Sequence, residues 1–459
     1  MRDARGIQMT TADRMAVAHY DAAVLEFASM SGDPVATLDR ALAADPDFAE
    51  AMAAKAALFC TTSDQPLEKE VAALVGAIDQ MGDRASETAR RHAAAARAWI
   101  GGDWHRGNAL WGGLAMDQPH DLVAVQTAHL TDFLLGQSQM LRDRIAATLP
   151  AWSEDLPGYS YLHGMLAFGL EESGRYEAAE EAGLRALAMT PRDPWAIHAV
   201  AHVMEMQGRS LEGIRFLRDR QADWAEDCFF AYHNWWHLSL YHLDRGDTQV
   251  PLALYDEVIH PQPSEVAMEL ADAAALLWRL GLMGVDVGRR WDDVLASYAG
   301  RIDEGHYAFN DMHAMMAFVA TGRIGLAERL MDAVTSRAEQ GGSNGMMQRS
   351  AGLSVCRGLL AFGREEWETC VGELLLARPA AHRFGGSHAQ RDVIVWTAME
   401  AALRGKLDGR ARGLLAERLT AKPESPFLWH QQARRLRAGG DEAGAEAAER
   451  RASGFAEAA

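Results

Sequence analysis

Cysteine, proline, β-branched runs and basic charge are all scarce in this 459-residue chain, and each scarcity excludes something. The four cysteines, Cys60, Cys228, Cys356 and Cys370, form no CxxC and have no close spacing. Neither a disulfide framework nor a cysteine-based zinc site is therefore written into the sequence, and a reducing compartment is expected. With 14 prolines and few stretches rich in Val, Ile and Thr, the composition favours an all-α chain. Lys and Arg number 45 against 64 Asp and Glu, a formal charge of −19. Nucleic acid and anionic membranes are thus not expected partners, because both are recognised by a basic footprint that displaces counterions. No run of about 20 apolar residues is present, so no spanning helix is expected. The opening residues MRDARGIQMTTADRM lack the apolar centre of a secretory signal, and a cytoplasmic location is the resulting expectation.

Glycine, by contrast, is plentiful, with 41 residues in a chain that otherwise reads as helical. A chain of this length is several domains or a solenoid that grows by addition. Ten glycines recur between helical stretches: Gly102, Gly136, Gly174, Gly208, Gly246, Gly288, Gly322, Gly363, Gly405 and Gly440. Their gaps run from 34 to 42 residues, the period of a helical-hairpin solenoid with one left-handed turn residue per unit. The clearest unit is 160–193, in which Leu166, Ala167, Leu170, Gly174, Tyr176, Ala179, Ala186 and Pro191 follow the large, small and turn pattern of a tetratricopeptide repeat. Small residues there let two helices approach, and large ones fill the groove of the next hairpin. Eleven or twelve such hairpins would use residues 1–459 as one continuous superhelix. The turn HPQPSE (260–265) is the best candidate for a boundary within it.

Residues 194–247 carry the strongest chemical signal. His198 and His202 are four apart, as are His233 and His237, and the two pairs are 35 residues apart, which is one repeat. Each pair occupies one helical face, and neighbouring first helices of such hairpins run parallel at about 10 Å, so four imidazoles come within reach of one divalent ion. Zn, Fe, Mn and Ni all suit the donor set. Glu205, three residues after His202, is placed to act as a ligand, a supporting carboxylate or a general base. The alternative is that these histidines hydrogen-bond to carbonyls and carboxylates along a polar groove. Trp195 and Trp236 read either as walls of a substrate pocket or as fillers of the seam between hairpins. His92, His129, His163 and His313 also fall on first helices.

Two later stretches add candidates. FNDMHAMMAF (309–318) puts Asp311 and His313 on another first helix, about two repeats beyond the second pair. In HRFGGSHAQRDVIVWTAMEAAL (382–403), Gly385 and Gly386 supply a bend, and Ser387 with Gln390 reads as a capping box. Arg391 and Asp392 then flank a helix N-terminus, a natural place for an anion. Ser387, Arg391 and Asp392 are accordingly candidate substrate-binding residues. No GxSxG, Walker loop or dinucleotide fingerprint occurs in a suitable context.

The strings HAVAHVMEMQGR (198–209), HNWWHLSLYHLDRGD (233–247), ALYDEVI (253–259) and GGSHAQRD (385–392) resemble the tetratricopeptide repeat protein 38 family over nearly the whole chain. That resemblance implies an all-helical repeat fold and brings no settled reaction. The spacing itself leads to a metal-dependent hydrolase of a small polar substrate, with His198, His202, His233 and His237 on the metal. Glu205, assisted by Asp311 and His313, would be catalytic. Two rivals share the fold: a non-catalytic scaffold that takes a peptide or protein segment in its groove, and an iron-dependent oxidative enzyme. Oligomeric state is left open.

Overall fold

Among the residues described by the computed structural model, 1–62 and 64–457, every regular element is a helix, and the only strand-like pairing is an isolated bridge between Arg2 and Gln8. The all-α expectation holds, and successive helices pack as neighbouring antiparallel pairs. Unit 160–193 is such a pair. Tyr159–Glu172 (α1) and Tyr176–Met189 (α2) turn at Gly174, whose φ is +72°. Ala167, Ala179 and Ala186 are fully buried, as small residues at a close helix crossing must be.

The next pairs follow the same logic. Pro194–Met206 (α3) is capped by Asp193, whose Oδ1 accepts the Ala196 N–H at 3.1 Å, with Pro194 in the first helical position. It turns at Gly208 (φ +70°) into Ser210–Asp219 (α4). Ala231–Asp244 (α5), Ala267–Leu282 (α6), Ala308–Ala320 (α7), His388–Arg404 (α8) and Asp408–Ala421 (α9) are the other helices that bear on the site. The helices α3, α5 and α6 are buried on all faces over most of their length. Residues 193–205, 232–241 and 270–280 are continuously buried, whereas α4 buries only Ser210, Gly213 and Leu217 along one stripe. The sequences agree: AIHAVAHVMEM is apolar on every face apart from its histidines and its glutamate, and SLEGIRFLRD is amphipathic.

Not every recurring glycine is a turn residue. Eight of the ten have positive φ, but Gly363 and Gly405 do not, and at those turns Glu365 (φ +60°) and Lys406 (φ +55°) take the left-handed position. Close packing explains the two exceptions. A Cβ on Gly363 would stand 2.7 Å from Val319 Cγ1, and one on Gly405 would stand 2.5 Å from Trp367 Cβ.

The chain divides into two compact units, Met1–Val200 with Ala222–Ala231, and Ala201–Gln221 with Tyr232–Ala459. The division passes through the unbroken helix α3, and the 260–265 turn lies inside the second unit. In the first unit, His92 is a satisfied core residue. Its Nε2 is 3.0 Å from Asp121 Oδ2, and its Nδ1 accepts from Trp111 Nε1 at 3.1 Å. Among the described residues no helix is long and apolar enough to cross a membrane.

Candidate metal centre

Tyr241 and Gly213 bring the two histidine helices together. Tyr241 Oη donates to the Ala201 carbonyl at 2.5 Å, tying α5 to α3 one residue before His202. Gly213 on α4 leaves room for the Tyr241 ring, which lies 2.2 Å from where a Cβ would stand. With that register, the His202 and His237 rings are 4.4 Å apart between centroids, and His233 Nε2 is 3.2 Å from His237 Nε2. His198 stands one turn earlier on the same helix as His202. One ring nitrogen from each of the four histidines lies within 4.8 Å of the others. The structure therefore contains a buried histidine cluster able to bind a metal. Nitrogens held at 2.0–2.1 Å around a tetrahedral ion stand about 3.3 Å apart, so the 233/237 spacing already matches.

A carboxylate that the sequence reading missed supports this cluster. Asp272 on α6 lies 2.5 Å from His233 Nδ1 and is 1% exposed. By accepting that N–H it fixes the tautomer in which Nε2 offers its lone pair toward His237, the carboxylate–histidine–metal arrangement that orients a ligand and raises its basicity. Asp272 in turn accepts from Gln390 Nε2 at 3.4 Å, so the 385–392 segment reaches the support of the histidines. The signal was present in the sequence. Asp272 interrupts the apolar run LADAAALLW (270–278), 39 residues beyond His233, which is again one repeat.

Arg279, seven residues further along α6, lies over the Trp236 ring at 5.3 Å, and Trp236 stacks on His233 at an interplanar angle of 10°. Burial pulls the Arg279 guanidinium down to about 10 despite Asp392, Glu205 and Asp272 nearby. Its N–H groups go to the Ala275 and Ala389 carbonyls at 3.1 and 2.9 Å. Trp236 is fully buried, and Trp195, 4% exposed, donates Nε1 to the Ala28 carbonyl and packs edge-on to His129. Both tryptophans therefore fill the interior; neither stands at an open groove wall.

The histidines are likewise interior: His202 and His237 have no exposure, and His198 and His233 have 4%. Glu205 is ion-paired through Oε1 with Lys422 Nζ at 2.6 Å. Burial alone would depress the Lys422 ammonium, but Glu205, Asp244 and Asp392 outweigh it and hold it above its ordinary value. Asp311 and His313 part company, as residues two apart on a helix must. Asp311 is bound by Arg337 (3.1 Å) and Gln348 (2.6 Å), and its pKa is raised by burial. His313 Nδ1 donates to the Phe309 carbonyl (2.8 Å), and burial lowers it to about 4, with Asp272 and Arg279 as the charged groups acting on it.

The 385–392 segment is mostly architecture. Ser387 Oγ accepts from Gln390 N–H and Gln390 Oε1 accepts from Ser387 N–H, completing the capping box. Gly386 (φ +73°) also clears the Phe309 ring, and Arg391 donates to the Gly385 and Gly386 carbonyls, bracing the bend. Asp392 forms a two-pronged pair with Arg418 (2.6 and 2.9 Å). Burial pushes its carboxyl up, but Arg418 and Lys422 bring it down to about 2. Glu205 and Asp392 line one cleft of about 150 Å³ together with Met206, Arg378, Glu417, Arg418 and Lys422, so two residues chosen from distant parts of the sequence do meet.

No protein-family model matches the chain. What the site can do rests on its geometry.

Proposed function

We propose that the protein is a divalent-metal-dependent enzyme of the tetratricopeptide-like class, related to the tetratricopeptide repeat protein 38 family, and that it hydrolyses a small polar substrate. The observation that carries this is the Asp272–His233–His237 arrangement, in which a buried carboxylate orients one imidazole so that its Nε2 meets a second at ligand spacing. His202, His233 and His237 hold the ion, and His198 completes the set or yields its place to water. A metal bound there supplies a Lewis acid and lowers the pKa of bound water. Glu205, one turn after His202 and lining the cleft, moves the proton.

The distinction between a closed structural site and a working one is coordination number. Cobalt(II) loaded into the purified chain reports it through its visible absorption. Five-coordinate spectra that shift on adding azide support an exchangeable position and hence the hydrolytic reading. An azide-insensitive tetrahedral spectrum that is lost in His198→Ala contradicts it, because all four positions are then filled by protein.

A further inference from the structure

The cleft between α3, α8 and α9 has a charge pattern that selects its occupant. Three bases, Arg378, Arg418 and Lys422, face three acids, Glu205, Asp392 and Glu417, so the lining is formally neutral. The pairs are graded in depth. Glu205–Lys422 forms the floor, with side chains 7% and 12% exposed; Arg418–Asp392 is intermediate at 9% and 31%; Arg378–Glu417 forms the rim at 43% and 54%. Two charged groups in the deeper pairs are only half used. Among the described residues Glu205 Oε2 and Arg418 Nε are buried without a hydrogen-bond partner, one an acceptor and the other a donor. A half-satisfied buried charge is a standing cost, and a ligand that offers a donor to one and an acceptor to the other removes it.

We propose that this cleft binds a small zwitterion of the size of a free α-amino acid, with its ammonium against Glu205 Oε2 and its carboxylate against Arg418 and Lys422. A neutral lining with separated signs disfavours simple anions and simple amines alike, because each satisfies one group and leaves the opposite charge facing it. Ligand entry exchanges one set of ion pairs for another, which limits the desolvation cost. At about 150 Å³ the cleft is well below the 300–1,000 Å³ typical of drug-sized sites, so the occupant is small. The inference deepens the reading given above, because Glu205 belongs to both, and its test is arranged to fail separately.

The test is isothermal titration of the full chain, once metal-loaded and once stripped with chelator. The probes are glycine, alanine and serine, each beside its N-acetyl and its carboxamide derivative. The free amino acids bind in both states, and each blocked derivative binds weaker by about tenfold or more, the worth of one charge-assisted hydrogen bond. Glu205→Gln abolishes the preference for the free ammonium, whereas Arg378→Ala at the rim changes affinity by less than about threefold. The comparison of derivatives on the parent protein needs no variant, so a folding defect cannot obscure it. Equal binding of free and blocked forms, or no binding by any probe, overturns the zwitterion site. Binding to the stripped protein alongside a failed cobalt experiment would leave this site standing and remove only the metal.

Discussion

Replacing Asp272 with Asn is the sharpest perturbation of the metal reading, because it alters almost nothing but a tautomer. Asp272 accepts the His233 Nδ1–H at 2.5 Å inside a helix that is buried from Leu270 to Leu280. An asparagine of the same shape turns its amide N–H toward Nδ1, which moves the imidazole proton to Nε2, the atom 3.2 Å from His237 Nε2. A ligand lone pair is thereby replaced by a proton. Loss of such a supporting carboxylate weakens metal binding by about 10- to 100-fold, or about 1.4 to 2.7 kcal/mol. Competition against a chromophoric chelator measures the affinity, and circular dichroism of the metal-free protein checks that the helices persist. A folded Asp272→Asn protein that binds Zn within about twofold of the parent would refute the reasoning, since His233 would then not depend on Asp272 for its orientation.

Other consequences are more local. Asn234 on α5 has no exposure, and both of its amide atoms lack hydrogen-bond partners among the described residues, so Asn234→Leu raises stability by about 1–3 kcal/mol in urea unfolding; a loss instead would mean that a bound water or ligand satisfies the amide. Gly213→Ala forces a methyl into the Tyr241 ring and lowers stability by about 1–3 kcal/mol, and an unchanged unfolding midpoint would contradict the close α4–α5 contact. Asp193, which caps α3, is raised by burial to about 7 from an ordinary 3.8. Its folded form therefore favours the proton, and the protein loses stability as pH rises from about 4 to about 7. Asp193→Asn keeps the cap and removes that loss, so the stability difference between variant and parent grows from pH 5 to pH 8; a constant difference would show that Asp193 does not titrate in this range.

Fold class was legible because it is written in period. Gly174, Gly208 and Gly246 sit at their turns with positive φ, and the 35-residue step between histidine pairs brings His202 against His237 as one repeat should. Burial was less legible. A histidine pair at i and i+4 looks the same on an open wall as in an interior, and only the unbroken burial of residues 193–205 and 232–241 shows that α3 and α5 are covered on both faces. Pairings across more than 100 residues were beyond reach. Glu205 with Lys422 and Asp272 with Gln390 depend on how α3 and α6 meet α8 and α9, which no local pattern encodes. Asp311 and His313 were read as a unit because they are close in sequence, although helical geometry separates them. Gly363 and Gly405 were read as turn residues when their role is to admit Val319 and Trp367.

The central claim is that the histidine cluster on α3 and α5 holds one ion. Its most direct test is elemental analysis of the purified, untagged chain beside a His202→Ala/His237→Ala variant whose helicity is confirmed by circular dichroism. The account predicts close to one equivalent of Zn, Fe or Mn in the parent and none in the folded variant. A parent that carries no metal after reconstitution, or a variant that retains it, would contradict the claim.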